Sequence, residues 1–123
     1  MEIKELTRAE EQLMQILWQL KKGFVKDVMA QLSEPLPAYN TVSTIIRILE
    51  AKGFVSYISY GKSHEYFPLI SKETYQNFAT DKLMSGYFDN SVQHMFSYFV
   101  KKEKIDLKEA DEILKLIKKL KNK

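Results

Sequence analysis

The 123-residue sequence changes its apolar periodicity near residue 54, and this change restricts the folds that it can adopt. Before that point, apolar residues recur every three or four positions, which is typical of amphipathic helices. Residues 54–60 and 64–68 are rich in β-branched and aromatic residues, which indicates two short strands. Gly61, Lys62 and Ser63 lie between them and predict a tight turn. We therefore predict helices followed by a β-hairpin.

Three helices are predicted before this hairpin. Thr7 and Glu10 have the spacing of a capping box, so the first helix is expected over about 7–21. A short apolar rhythm over 25–32 predicts a second helix, which the prolines of 33–37 end. The third helix ends at Gly53. The order of three helices and a hairpin is that of a winged helix-turn-helix module, whose third helix lies in the major groove of DNA.

Residues 71–123 contain three further amphipathic patterns, with a break expected at Gly86 and at the pair 89–90. They form little independent core, whereas two copies of the chain would bury them. We therefore predict a mainly α fold, with a winged-helix DNA-binding domain over 1–70 and a helical dimerisation domain over 71–123. The alternative is that the aromatic residues of 71–123 pack against residues 1–70 of the same chain. The predicted interface residues are Phe78, Tyr87, Phe88, Met95, Phe96, Phe99, Leu114 and Ile117.

The composition excludes several classes of protein. The chain has no cysteine, which excludes disulfide frameworks and cysteine-based metal or redox chemistry and suits a reducing cytoplasm. No apolar run approaches the roughly 20 residues of a membrane span, and the charged segment 1–11 is not a signal peptide. His64 and His94 are the only histidines, and no nucleophile, phosphate-loop or metal-binding motif is present. We expect a cytoplasmic, non-enzymatic protein without metal or cofactor and without membrane insertion.

The net charge of +3 permits binding to nucleic acid but is unevenly distributed. Residues 1–70 contain eight basic and eight acidic residues, whereas 71–123 contain eleven and eight. If the N-terminal half binds DNA, its charges must therefore be sorted onto one face of the folded module.

The exposed face of the third helix has the composition of a DNA-reading surface. It carries short polar side chains and one arginine, and no acidic residue occurs before Glu50. Such side chains bond base edges and phosphate oxygens, and a carboxylate there would repel phosphates. Lys62 in the hairpin turn is expected to contact a phosphate. The predicted contacts with double-stranded DNA are Tyr39, Asn40, Thr41, Ser43, Thr44, Arg47 and Lys62.

Simpler interpretations remain open for some of these residues. Asn40 and Thr41 would also serve as helix caps, and Lys62 as a solvated turn residue. The tyrosines of the hairpin favour packing over base stacking. They are Tyr57, Tyr60 and Tyr66.

Four segments resemble the BlaI/MecI/CopY penicillinase-repressor family. Residues 41–55 are similar to its recognition helix, 7–18 to its first helix and 61–67 to its wing, and 96–103 resemble the segment before its last helix. The resemblance implies a homodimer that binds a palindromic, inverted-repeat operator and blocks transcription.

The resemblance also implies ways of releasing the repressor from DNA. In the β-lactam branch, a membrane sensor protease triggers cleavage between an asparagine and a phenylalanine. The matching bond here is Tyr98–Phe99, where Tyr98 replaces the asparagine. The copper-sensing branch uses cysteines, which this chain lacks, so no copper response is expected. A ligand-responsive dimeric winged-helix regulator and a winged-helix protein-interaction module are the alternative functions.

Overall fold

The computed structural model describes residues 2–122, which form helices and one two-stranded sheet. The elements in chain order are α1 (Arg8–Leu20), α2 (Val25–Met29), α3 (Tyr39–Ala51), β1 (Val55–Tyr60), β2 (Ser63–Pro68), α4 (Lys72–Tyr87), α5 (Val92–Lys101) and α6 (Leu107–Lys121). The predicted mainly α fold with a winged helix and C-terminal helices is confirmed. The chain divides into two compact units: the N-terminal unit ends at Ala79 and the C-terminal unit begins at Thr80.

The N-terminal unit encloses one apolar core. Its first helix begins with the predicted capping box, since Thr7 Oγ1 accepts a hydrogen bond from the Glu10 amide at 3.2 Å and Glu10 Oε1 accepts one from the Thr7 amide at 2.9 Å. α3 contributes an apolar stripe of Val42, Ile46 and Leu49 to this core, so its opposite face is not buried by the core. The fully buried side chains are Met14, Leu17, Val28, Val42, Ile46, Leu49, Phe54 and Val55.

The hairpin is tied to the helices at its base. β1 and β2 pair antiparallel from Val55↔Pro68 to Tyr60↔Ser63, so the turn consists of Gly61 and Lys62 alone. Gly61 has a φ of 64°, a left-handed conformation that glycine adopts without steric cost. Gly23 and Tyr66 exchange two backbone hydrogen bonds of 2.9 and 2.8 Å. These bonds hold the hairpin beside the start of α2.

The N-terminal unit extends beyond residue 70, the boundary expected from the sequence. Tyr75 on α4 is only 6% exposed, and its hydroxyl accepts a hydrogen bond from the Leu6 amide at 3.0 Å. Trp18 Nε1 donates to the Ile70 carbonyl at 2.9 Å. Phe78 is half-buried against Tyr75, with ring centroids 5.6 Å apart. The first two turns of α4 therefore complete the core of the winged helix.

The C-terminal unit contains α5, α6 and the part of α4 that follows Ala79. The predicted break is confirmed: α4 ends at Tyr87, one residue after Gly86, and the chain turns at Asp89 and Asn90, whose φ values are 51° and 59°. Phe88 is the one buried apolar side chain between residues 80 and 122, and no residue of α5 or α6 is buried. No helix within residues 2–122 has both the length and the hydropathy of a membrane span.

Candidate nucleic-acid interface

The polar face of α3 begins at the first residue of the helix. Ala38 is the N-cap and no side chain caps this end. Asn40 and Thr41 lie in the first turn with exposed side chains, so the interpretation that they only cap the helix is wrong. The Thr44 hydroxyl donates to the Asn40 carbonyl at 2.8 Å, which orients the Thr44 side chain along the helix surface.

The polar residues of α3 form two rows. The groove row consists of Tyr39, Ser43 and Arg47, which are spaced four residues apart and line one concave surface. The outer row consists of Asn40, Thr41 and Thr44, which are exposed and do not line that surface. Within the groove row, Arg47 Nη2 donates to Ser43 Oγ at 3.1 Å, so the guanidinium is held along the row.

The concave surface is a groove of about 580 Å³ between α2, α3 and the hairpin. It brings together Arg47 of α3 and Lys62 of the hairpin turn, both predicted to contact DNA, and it adds Lys26 of α2. No aspartate or glutamate lines it. The N-terminal half therefore gathers basic side chains on one surface, although its net charge is zero. The lining residues are Phe24, Val25, Lys26, Tyr39, Ser43, Arg47, Tyr60, Lys62, Ser63, His64 and Tyr66.

Two carboxylates of the N-terminal unit are engaged by other groups of the fold. Glu10 is 6% exposed and pairs with Lys52 at 2.5 Å, and Lys52 Nζ also donates to the Glu5 carbonyl at 3.3 Å. Burial raises the pKa of Glu10, but hydrogen bonds from Lys52 and Thr7 outweigh it and hold that pKa below its ordinary value. Asp27 Oδ2 accepts from the Phe24 amide at 2.8 Å and thereby caps α2.

The hairpin tyrosines pack as the sequence suggested, with one exception. Tyr57 stacks on His64 at a centroid distance of 4.0 Å and lies 5.6 Å from Tyr66. Tyr66 is buried, and burial followed by the nearby charge of Glu50 raises the pKa of its hydroxyl. Tyr60 packs on Phe24 at 6.0 Å but is 56% exposed and lines the groove. Tyr60 is therefore available to a ligand.

Sequence reasoning missed Lys26 and Tyr60 as residues of this surface. Lys26 lies in the first turn of α2, and the periodicity of that helix identified only its buried side. Tyr60 belongs to the partly alternating pattern of residues 54–60, and nothing in that pattern distinguishes it from the other hairpin tyrosines. Their joint position depends on the pairing of Gly23 with Tyr66, which sequence spacing does not reveal.

The residues predicted for the dimer interface lie in different environments. Phe88 packs against His94, Tyr98 and Phe99 within the C-terminal unit. Tyr87 is exposed, as are Leu114 and Ile117 on α6, whereas Met95, Phe96 and Phe99 on α5 are half-buried. The Tyr98–Phe99 bond lies inside α5.

Within the described part of the chain, no group of three or more aspartate, glutamate or histidine side chains is placed to hold a metal ion.

Comparisons with known proteins agree with this geometry. The family model described as "Penicillinase repressor" matches residues 6–119. The solution structure of the DNA-binding domain of the repressor BlaI is similar at 24% identity and a TM-score of 0.53, covering 60% of this chain and 92% of that one. This likeness supports the winged-helix fold. No curated protein matches the chain.

Two further solved structures are similar over different parts of the chain. A structure of the CopR repressor has 28% identity and a TM-score of 0.46, covering 55% of this chain and 100% of that one. Bordetella bronchiseptica BpsR, whose DNA binding is regulated by 6-hydroxynicotinic acid, has 18% identity and a TM-score of 0.47, covering 98% of this chain and 78% of that one.

Proposed function

Because the chain belongs to the penicillinase repressor family, we propose that it represses transcription as a homodimer bound to an inverted-repeat operator. It is a DNA-binding transcriptional repressor and not an enzyme. The observation that carries the proposal is the part of α3 before Glu50 and the groove beside it, where polar and basic side chains occur without a carboxylate.

The outer row of α3 supplies the chemistry for reading bases in the major groove. The Asn40 amide both donates and accepts hydrogen bonds, which matches the paired donor and acceptor of adenine. Thr41 presents a hydroxyl, the Thr44 oxygen can accept because its hydrogen is donated to the Asn40 carbonyl, and both methyl groups suit contact with thymine methyls. Lys62 in the wing turn contacts a phosphate of the same site.

Dimerisation is assigned to residues 71–123, mainly to the apolar surface of α5 and α6. Leu107 is 90% exposed, and α6 also exposes Leu114, Leu116, Ile117 and Leu120. A helix with this much exposed apolar surface gains stability when a second copy covers it. Two linked modules then bind two half-sites, and the second contact is effectively intramolecular, which raises affinity by about 10²–10⁴.

Release from the operator follows from weakening of the dimer. A sensor-protease system would act at Tyr98–Phe99, as in the β-lactam branch. This bond is helical, and Tyr98 packs on Phe88, so a protease must first unfold α5 locally to reach it. A ligand that loosens α5 and α6 is the alternative route to the same release.

A footprint of the full-length protein on the DNA upstream of its own gene tests the proposal. Two protected half-sites with two-fold symmetry are expected, with centres about 10 base pairs or a multiple of that apart. In a binding titration, Thr44→Ala should lower operator affinity by about tenfold, because one base contact is worth about 1–3 kcal/mol. Thr80→Ala, an exposed threonine of α4, is the matched control. Protection without sequence preference, or full affinity of Thr44→Ala, would contradict the proposal.

A further inference from the structure

The groove beside α3 gathers cations from three different elements. Lys26 comes from α2, Arg47 from α3 and Lys62 from the turn of the hairpin. No carboxylate lines the groove, so every charged side chain of its lining is basic. Three cations around one concave surface attract a polyanion, and each phosphate that they neutralise releases a condensed counterion.

The groove also offers hydroxyl groups between these cations. Ser43 Oγ accepts the hydrogen bond from Arg47, so its own hydrogen remains to donate to another acceptor. Tyr39 and Tyr60 are each 56% exposed and carry phenolic hydroxyls. Hydroxyl donors spaced between lysine and arginine side chains are the usual partners of phosphate oxygens along a DNA strand.

Arg47 belongs to this groove by its position on the helix. It follows Ser43 by four residues and lies in the same row, whereas Asn40, Thr41 and Thr44 lie outside the groove lining. Its bond to Ser43 uses one of the five guanidinium donors and leaves the planar fork for a bidentate contact. The other polar residues of the groove lining are mainly basic and hydroxyl side chains, which are partners of backbone phosphates.

We propose that this groove holds the sugar-phosphate backbone of one operator strand, so that Lys26, Arg47 and Lys62 position the protein while Asn40, Thr41 and Thr44 read the bases. The inference rests on the proposed function, and it divides the residues of α3 into two classes. It assigns Lys26 a contact and makes Arg47 a determinant of affinity and not of sequence preference.

The test compares variants of the full-length protein on its operator and on a shuffled duplex of the same length. Association constants are measured between about 50 and about 200 mM salt. For Lys26→Ala and Arg47→Ala, we expect both duplexes to lose affinity by the same factor. The slope of log K against log salt should become shallower by about 0.9 for each phosphate that the variant no longer neutralises. The ratio of operator to shuffled affinity should stay within about twofold.

Matched variants separate the possible outcomes. Lys72→Ala removes an exposed lysine of α4 that does not line the groove, and it should leave the slope unchanged. Thr44→Ala should lower the affinity ratio and keep the slope. Urea unfolding followed by Trp18 fluorescence checks that each variant is folded.

Two results would overturn the inference alone. One is a loss of operator preference in Arg47→Ala as large as that in Thr44→Ala, and the other is an unchanged salt slope in Lys26→Ala. Both leave the proposed function intact, since the wild-type protein still prefers its operator. A wild-type protein that binds both duplexes equally would overturn the proposed function and, with it, the assignment of base-reading residues.

Discussion

Replacing Lys52 with methionine should destabilise the N-terminal unit, because it leaves the Glu10 carboxylate buried without its counter-charge. Glu10 is 6% exposed, and its Oε1 takes hydrogen bonds from Lys52 Nζ at 2.5 Å and from the Thr7 amide at 2.9 Å. Lys52→Met keeps an unbranched apolar side chain, with sulfur in place of Cδ, and removes the ammonium group. The pair joins the start of α1 to the end of α3, so it also fixes the helix that reads DNA.

The size of the effect follows from the burial of the two partners. Removing one member of a fully buried pair costs about 3–5 kcal/mol. The Lys52 side chain is 22% exposed and the Thr7 bond remains in the variant, so we expect about 2–3 kcal/mol here. For a domain of this size that corresponds to a decrease in melting temperature of about 10–20 °C.

Urea unfolding followed by tryptophan fluorescence measures this loss directly. Trp18 is the only tryptophan of the chain and lies in the N-terminal unit, against Tyr75. The double variant with Glu10→Gln should recover part of the stability, since no unpaired charge then remains. A Lys52→Met protein as stable as Lys72→Met, which removes an exposed lysine, would refute the reasoning.

The same pair predicts how stability depends on pH. The pKa of Glu10 is lowered in the folded protein, so the unfolded chain takes up the proton first as pH falls. The stability that Glu10 contributes is thus present above the ordinary glutamate pKa of about 4.3 and is lost as pH falls through the folded value. Glu10→Gln should therefore lose less stability than the wild type on acidification below roughly pH 4.3. Parallel pH profiles for the two proteins would contradict this.

Three further predictions concern the limits of the units and the wing. A fragment of residues 1–70 should be less stable to urea than a fragment of 1–79 by about 3–5 kcal/mol, because it lacks the buried Tyr75. The 1–79 fragment should sediment as a monomer and bind the operator about 10²- to 10⁴-fold more weakly than the full chain, and a dimeric fragment would contradict the interface assigned to 71–123. Gly61→Val should destabilise the protein by about 1–2 kcal/mol in thermal unfolding, because valine is strained at a φ of 64°; equal melting temperatures would contradict this.

The fold was predictable where its causes are local. The capping box at Thr7 and the shift from helical to strand-type patterns depend on residues close in sequence, and both are confirmed. The break marked by Gly86 and by the Asp89–Asn90 pair is local in the same way, and α4 ends at Tyr87. Tyr75 of α4 belongs to the core because its hydroxyl bonds to the Leu6 amide and its ring packs on Trp18. Both partners lie more than fifty residues away in the sequence, so local patterns do not reveal these contacts.

The outer row of α3 was also predictable, because a helix with one apolar face must expose the other. The groove was not, since its residues belong to three elements and become neighbours through the pairing of Gly23 with Tyr66. Periodicity places a residue on a face of its own helix, but it does not say which other element lies opposite that face. The sequence therefore predicted Arg47 only as a contact with DNA, and its groove position is visible only in three dimensions.

The zero net charge of residues 1–70 does not describe the charge at the groove, because none of their eight acidic residues lines it. Glu10 is engaged by Lys52 in the interior, and Asp27 is engaged by the Phe24 amide at the start of α2, so both serve the fold. Lys26, Arg47 and Lys62 are exposed and line the groove. The net charge adds these three cations to acidic residues that lie elsewhere. A DNA strand in the groove would meet only the cations that line it. The electrostatic attraction of this module for DNA is therefore set by where the fold places its charges, and removing Lys26 should weaken it more than the net charge suggests.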